Sequence, residues 1–311
     1  FSKLYISGFK IQLKMNISRR DTTLDIAKGM SILLMTISHL TLFQRHGNLS
    51  YVNLNYLTLF KMPLFIFISG ILFSPTTDFK SYLINKFEGL IKPILTIFFA
   101  FFIATVSFNV LRLGITFECI KRGIVLFQNL FFPLWFPISL FFATVAFKLF
   151  FYQIENKLIK SVFLLFILSF LLLLNYFKIG IGLIRFDNLI YFVYILSLGF
   201  LFKKRRLLPW IFKPITFIIS VLLFGFCIYF SKELNIAINL YHVKFTSFIP
   251  TTVAFLSGIS IVLFLSNQLK RFVILNDIFI LCSQSAFYIL AFHFILGNKI
   301  LYPIVVRFLG E

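Results

Sequence analysis

Apolar runs of membrane-spanning length recur along almost the whole chain, and they constrain its fold more than any other feature. A bilayer core needs about 20 consecutive apolar residues in a helix. The sequence therefore predicts an all-α polytopic membrane bundle of about nine or ten transmembrane helices. The last stretch is expected to be either one broken helix with an interfacial piece or two spans divided near Ala291. The runs cover residues 24–43, 57–74, 93–111, 131–151, 159–177, 186–202, 208–230, 247–266 and 272–309.

The basic residues follow the same pattern. The chain has 311 residues, a formal net charge of +20 and a mean hydropathy of +0.97, and most of its Lys and Arg fall between apolar runs. Positive charge in such segments fixes orientation and contacts anionic headgroups, so membrane topology explains it better than nucleic-acid binding. With the N-terminus in the cytoplasm, the densest cluster, at 203–206, lies inside. The inner segments then also hold Lys80, Lys86 and Lys148, and the outer segments hold Lys61.

One membrane domain is expected, because no long linker, low-complexity tail or repeat interrupts the spans. Residues 1–14 have no long apolar core and no small-residue cleavage site, so they do not form a signal peptide. Met15 directly precedes NISRRDTTLDIAKG. We therefore predict a domain over 15–311 and interpret 1–14 as a non-native or mis-annotated extension.

The cysteines carry little functional signal. They show no CxxC spacing and no neighbouring histidine cluster, which favours small apolar fillers over disulfides or metal ligands. No metal is expected. The three residues are Cys119, Cys227 and Cys282.

Residues 24–39, LDIAKGMSILLMTISH, are apolar enough to enter a bilayer and yet carry three ionisable residues. On a helix with about 100° per residue, His39 lies within about 20° of Lys28 and about 40° of Asp25. All three therefore share one face, with Lys28 and His39 roughly 16 Å apart along the axis. Ionisable residues are costly inside a membrane and by default face a bundle interior. The pattern predicts that this face carries the chemistry.

Each of the three residues has a functional and a structural interpretation. Histidine is the usual general base for a hydroxyl, but His39 could also be a buried side chain that hydrogen-bonds between helices. Lys28 could hold a phosphate or another anionic end of a donor at the cytoplasmic mouth, or pair with Asp25. Their common face favours His39 as the catalytic residue and Lys28 and Asp25 as donor-binding residues.

Three further residues are candidates for lining a cavity. Ser69 and Gly70 follow Pro63 in the second span, where a kinked, cavity-lining helix and plain close packing are both open. Trp135, in PLWFPISLF, is either an interfacial anchor or part of a cavity wall. His293, at the end of SAFYILAFH, has no other charge on its helix, which favours a structural role.

Five stretches together resemble the acyltransferase 3 family of membrane acyltransferases, which includes bacterial O-antigen and capsule O-acetylases. They occur in the family's order: LDIAKGMSILLMTISH at 24–39, FKMPLFIFISGILF at 60–73, PLWFPISLFF at 133–142, YFVYILSLGFLFKK at 191–204 and SAFYILAFH at 285–293. The family signature is an arginine, ten intervening residues and a histidine, where this chain has Lys28 and His39. Lysine keeps the charge and loses the bidentate fork. The LDIAKG form resembles the branch of fucose or related sugar O-acetylases.

The resemblance implies a bacterial inner-membrane enzyme. It would move an acyl group, acetyl in the first instance, from a cytoplasmic acyl-CoA such as acetyl-CoA to a hydroxyl of a surface glycan. The implied partners are the acyl-CoA, the lipid bilayer and a glycan or lipid-linked glycan (O-antigen, capsule or exopolysaccharide), with no nucleic acid. CoA phosphates would meet Lys28 and the thioester would reach toward His39. The acceptor sugar, the acyl group and the oligomeric state stay open.

The main alternative is a polysaccharide exporter or flippase, which would also have many spans and basic loops but no dependence on acyl-CoA. A membrane glycosyltransferase is less well matched, because the loops are short. The sequence has no HExxH, glycine-rich phosphate loop or GxSxG motif. These absences argue against a metalloprotease, a nucleotide hydrolase and a serine hydrolase.

Overall fold

The computed structural model describes residues 22–39, 50–74, 78–113, 135–152, 186–236, 238–239, 244–245 and 247–295, with positions 159, 162, 166 and 169. Its helices are α1 (Thr22–His39), α2 (Ser50–Ile71), α3 (Phe79–Lys86), α4 (Lys92–Leu113), α5 (Trp135–Ala146), α6 (Phe186–Lys204), α7 (Leu208–Ile211), α8 (Pro214–Tyr229), α9 (Phe248–Leu269), α10 (Val273–Gln284) and α11 (Ala286–Ile295). A π-helical segment, Phe87–Ile91, joins α3 to α4, and another, Phe147–Tyr152, extends α5. Two-residue strands, β1 (Ile238–Asn239) and β2 (Lys244–Phe245), pair antiparallel.

The predicted all-helical membrane bundle is confirmed in its class. Within the described part, two helical stretches are long and apolar enough to cross a membrane, Phe79–Ala104 and Phe248–Leu269, and the bent pair α10–α11 adds a third if it forms one span. Shorter apolar helices accompany them. The predicted total of about nine or ten helices stays a prediction, because most of the run at 159–177 and the end of the chain lie outside the described residues.

Two helix boundaries differ from the apolar runs, one because of a capping side chain and the other because of a proline. The helix that contains the run at 93–111 already begins at Phe79, since the Asp78 carboxylate accepts hydrogen bonds from the backbone N–H of Lys80 (3.1 Å) and Ser81 (3.4 Å). The run at 208–230 is divided before Pro214, because a residue that precedes proline is disfavoured in the helical conformation. Lys213 there is extended, with ψ of 138°.

The C-terminal apolar stretch breaks at Ser285, which fits the expected broken helix. The alternative division near Ala291 is wrong in its position. Ala291 lies inside α11, and the axes of α10 and α11 differ by 72°. Ser285 adopts φ −89° and ψ 8°, a turn conformation that ends α10. Neither glycine nor proline marks this position, and the sequence therefore gives no signal for the break.

Helix α1 lies at the centre of the described helices. It packs against α2, α9, α10 and α11, and Ile26 and Ala27 are completely buried. Gly29 touches α10 so closely that a methyl group there would overlap the backbone carbonyl of Phe279. The central position explains why so many small and apolar residues accompany the ionisable ones in α1.

Helices α2 and α6 also meet through glycine. A methyl group on Gly70 would overlap the carbonyl of Leu196, and one on Gly199 would overlap the carbonyl of Phe67. Small residues let helix backbones approach closely in membranes. Close approach at Gly70 is therefore confirmed, and α2 continues as a helix through Pro63.

The outward faces of α8 and α10 are strongly apolar. Ile218, Leu222 and Phe226 on α8, and Ile274 and Leu281 on α10, are all about half exposed or more. Such a surface is typical of contact with lipid, while the polar residues of α1 lie inside.

Candidate active site

The ionisable residues near the start of α1 lie inside the protein. Asp25 is only 5% exposed, and Lys28 is half-buried. The helix is unbroken from Thr22 to His39, which confirms the backbone geometry that places Asp25, Lys28 and His39 on one face. The side chain of His39 lies outside the described part, so its catalytic role stays a prediction.

Three contacts of α1 define the direction of this face. Ser31 faces α2, where its hydroxyl donates to the backbone carbonyl of Lys61. Gly29 faces α10, and the Sδ of Met30 accepts from Ser266 Oγ on α9 at 3.4 Å. At about 100° per residue, Lys28 points about 60° from Ser31, about 100° from Gly29 and about 160° from Met30. The ionisable face therefore lies between α2 and α10 and points away from α9.

Lys61 approaches this side of α1 from α2. We counted it among the outer-segment charges, and that interpretation is wrong: Lys61 lies inside α2 and is only 6% exposed. Along α1, its neighbour Ser31 lies about 4.5 Å beyond Lys28 and about 12 Å before His39, at about 1.5 Å per residue. A lysine that is more deeply buried than Lys28 is thus anchored level with Ser31, between the two residues of the predicted signature.

His293 lies near Lys61, on α11. The side chain is 5% exposed, and the positive charge of Lys61 acts on its ring. Its Nδ1 lies 2.8 Å from the carbonyl oxygen of Leu290. A carbonyl can only accept, so Nδ1 carries the hydrogen and Nε2 is the basic nitrogen of the neutral ring. Both α2, which carries Lys61, and α11, which carries His293, pack against α1.

A second group of cations lies where α2, α5 and α6 end and α3 begins. We call it the lysine–aromatic cluster, and it consists of Phe73, Tyr82, Lys86, Lys148 and Lys203. The Nζ atoms of Lys86 and Lys148 both lie 5.6 Å from the centre of the Tyr82 ring, and Lys148 Nζ lies 5.6 Å from the Phe73 ring. Lys203 Nζ donates to the carbonyl oxygen of Phe73 at 3.3 Å. Two lysine side chains therefore lie over these aromatic rings, and a third is held at the backbone of Phe73.

Further aromatic rings fix this cluster. Phe73 meets Tyr82 edge-on at 5.6 Å between centroids, and it meets Phe147 at 4.9 Å and Phe200 at 5.7 Å. Edge-to-face pairs each contribute about 0.5–1.5 kcal/mol beyond the area they bury. Lys148 is 3% exposed within this group. Its position in the π-helical extension of α5 belongs to a conformation that is frequent at functional sites.

The lysine–aromatic cluster and the start of α1 lie at the same end of the bundle. Helices α1 and α2 are consecutive and pack side by side, and helices joined by a short connection run in opposite directions. Thr22 precedes Ser31 by about as many residues as Ile71 follows Lys61. The first turn of α1, with Asp25, is therefore level with the end of α2, just before Phe73.

Ser69 and Trp135, the other predicted cavity residues, have local partners. Ser69 Oγ donates to the carbonyl of Phe65 in its own helix at 2.9 Å. Trp135 begins α5 and meets the rings of Phe136 at 5.9 Å and Phe192 at 6.3 Å between centroids. Their role as cavity-lining residues, like that of His293, stays a prediction.

Sequence reasoning named neither Lys61 nor any residue of the lysine–aromatic cluster as a site residue. It assigned Lys61 and Lys148 to loops, although both interrupt strongly apolar segments, FKMPLF and AFKLFFY. A lysine inside an apolar run is the signal that could have identified them. Among the described residues, no three His, Cys, Asp or Glu side chains are grouped as for a metal ion, and Cys227 and Cys282 are free thiols.

The apolar helices and the buried cations around α1 define a polytopic membrane protein with a polar interior. The family model of the acyltransferase 3 group, described as an acyltransferase domain, matches residues 21–304. The chain therefore belongs to the acyltransferase 3 family and is a membrane acyltransferase. Comparisons with curated proteins and with solved structures gave no match.

Proposed function

We propose that the protein transfers an acyl group, acetyl in the first instance, from a cytoplasmic acyl-CoA to a hydroxyl of a cell-surface glycan. The observation that carries this proposal is that two buried ionisable side chains, Lys61 and His293, lie on helices that pack against α1, in a chain of the acyltransferase 3 family. The acyl-CoA donor is anionic at its phosphate end and has a long, neutral arm that ends in the thioester. Such a donor suits a protein with lysines at one end of the bundle and a further lysine, Lys61, in its interior.

The reaction needs one proton transfer and one exchange of bonds. In the direct route, His39 removes the proton of the acceptor hydroxyl as its oxygen attacks the thioester carbonyl carbon. The new C–O bond forms, the C–S bond breaks, and the CoA thiolate leaves and takes up a proton. A route through an acyl-enzyme intermediate uses the same base in two steps.

The positive charges have separate tasks in this scheme. Lys28, with Asp25 beside it on the same face, contacts the donor near the mouth that we expect to face the cytoplasm. Lys61 belongs to α2 and contacts α1 at Ser31, further along α1 than Lys28. In this scheme, its charge stabilises the negative charge that develops on the thioester carbonyl oxygen. Because the surroundings are apolar, such an interaction is stronger than it would be in water.

The experiment is to delete the gene in the source bacterium and compare surface glycans by NMR and mass spectrometry after complementation. Wild type should restore an increment of about 42 Da per acetyl group, and His39→Ala should not, because the base is lost. The matched control is His242→Ala, a histidine that the sequence places between two spans. Both variants should be present in the membrane in equal amounts by immunoblot.

Two results would contradict the proposal. Full acylation with His39→Ala would remove His39 from the mechanism. Unchanged acylation with reduced surface glycan in the deletion strain would instead favour the exporter interpretation.

A further inference from the structure

We propose that the lysine–aromatic cluster is a binding site for a phosphate-bearing ligand. Two sources share this chemistry: the phosphates of the acyl donor's nucleotide end, and the headgroup of an anionic phospholipid. Assignment to the donor rests on the proposed function and would give that donor a phosphate site separate from Lys28. The cluster itself stands on its own geometry.

The first reason is an excess of positive charge. Lys86 and Lys148 lie over the Tyr82 ring, Lys203 lies at the backbone carbonyl of Phe73, and the charge of the Asp78 carboxylate acts on Lys148. Asp78 is exposed and already accepts two backbone hydrogen bonds as the cap of α3. Like charges held close together repel, and a bound anion relieves that repulsion.

The second reason is that the cations are fixed in place. Lys203 is held by the carbonyl of Phe73, and Lys148 is held against Phe73 and Tyr82. A lysine that serves only as an orientation charge needs no such partners and extends into the headgroup layer. Lysine binds phosphate as a point charge, and several lysines held in one cluster suit a group with two or more negative charges.

The third reason is the gradient of exposure within the cluster. Lys203 is exposed, Lys86 is half-buried and Lys148 is buried. In the proposed site, Lys203 and Lys86 are therefore the lysines that a phosphate in solvent can reach, and Lys148 contributes its charge from the interior. The cluster also lies at the same end of the bundle as Lys28, so a ligand bound there would be at the end where the polar face of α1 begins.

The test measures binding of unacylated coenzyme A to the full-length protein in nanodiscs of neutral phosphatidylcholine. Lys148→Gln and Lys203→Gln should each weaken binding about tenfold, because a charge-assisted contact is lost. Lys148→Arg, which keeps the charge, should recover most of the affinity, and added salt should weaken wild-type binding.

Two controls match the chemical change. Lys204→Gln removes the neighbouring exposed charge outside the cluster. Lys213→Gln removes a lysine whose Nζ lies 3.7 Å from the centre of the Trp210 ring, a cation–π pair elsewhere in the fold. Both should bind coenzyme A as wild type does. Acetyl-pantetheine, which has the thioester arm and no phosphate, should bind equally to all variants.

A second arm identifies the source of the phosphate. The same variants are compared in nanodiscs that contain phosphatidylglycerol, with retained lipid measured by native mass spectrometry. Loss of coenzyme A binding in Lys148→Gln and Lys203→Gln assigns the site to the donor. Unchanged coenzyme A binding with loss of retained phosphatidylglycerol assigns it to a lipid headgroup.

The remaining outcomes separate the two proposals. If wild type binds no coenzyme A, the proposed acyl-CoA donor fails, and the lipid arm alone decides on the cluster. If neither ligand responds to Lys148→Gln or Lys203→Gln, the cluster is not a phosphate site. Should Lys148→Gln be too unstable to purify, Lys203→Gln and Lys148→Arg still decide the question.

Discussion

The glycine contact between α2 and α6 gives the sharpest prediction about stability. In Gly199→Ala, the added methyl group would overlap the carbonyl oxygen of Phe67 and lie 3.2 Å from the backbone nitrogen of Ile71. Both obstacles are backbone atoms, so the two helices must separate to reach ordinary contact. We assign about 3 kcal/mol to this overpacking, the upper end of the usual range. Alanine returns about 0.5–1 kcal/mol through its better helix propensity, which leaves a net loss of about 2 kcal/mol.

The matched control is Gly225→Ala on α8. No atom lies within 4 Å of the position its methyl group would take, so only the gain in helix propensity applies. Equilibrium unfolding in mixed micelles, followed by circular dichroism, should therefore separate the two variants by about 3 kcal/mol. Equal stability of Gly199→Ala and Gly225→Ala would refute the close contact. Because Lys203 follows Gly199 by one helical turn, Gly199→Ala should also weaken coenzyme A binding.

Three further predictions concern α1 and its neighbours. Lys61→Gln should lower kcat for acyl transfer by about tenfold or more, equivalent to about 1.4 kcal/mol in the barrier, because a buried cation is lost. In an acetyl-transfer assay with a radiolabelled donor, Lys61→Arg should recover part of the rate. An unchanged kcat for Lys61→Gln would exclude a role in the reaction. Lys28→Arg should keep or raise the apparent affinity for acyl-CoA in the same assay, since it restores the family arginine, whereas Lys28→Gln should raise KM. Ser31→Ala should reduce the free energy of unfolding by about 0.5–1.5 kcal/mol through loss of the hydrogen bond to the Lys61 carbonyl, and an unfolding curve identical to that of wild type would contradict this contact.

Much of the helical architecture follows from the sequence, because the membrane imposes one dominant pattern. The runs at 24–43 and 247–266 predict α1 and α9 within a few residues, since length and hydropathy alone decide them. Helix boundaries set by a single side chain, such as the cap at Asp78, are harder to predict from hydropathy and length. The break at Ser285 depends on how α10 and α11 pack and leaves no mark in the composition.

The candidate site is harder to predict, since its members come from distant parts of the chain. Ser31 and Lys61 are 30 residues apart, and Phe73 and Lys203 are 130 residues apart. A hydropathy plot evaluates each lysine separately, so a buried lysine cannot be distinguished from a lysine in a loop. Whether a lysine is buried depends on which helices surround it. In contrast, the shared face of Asp25, Lys28 and His39 could be predicted because helical periodicity is local.

The central place of α1 has a consequence for biosynthesis. Its neighbours include α10 and α11, and the contact between Gly29 and Phe279 joins residues about 250 positions apart. At about 5–20 residues per second, the ribosome needs roughly ten to fifty seconds to make that intervening chain. During this time α1, with Asp25 and Lys28, must stay at the insertion machinery or be sheltered by α2. A ribosome that stalls before α10 would therefore leave an incompletely enclosed, charged helix in the bilayer, which is a signal that membrane quality control can recognise.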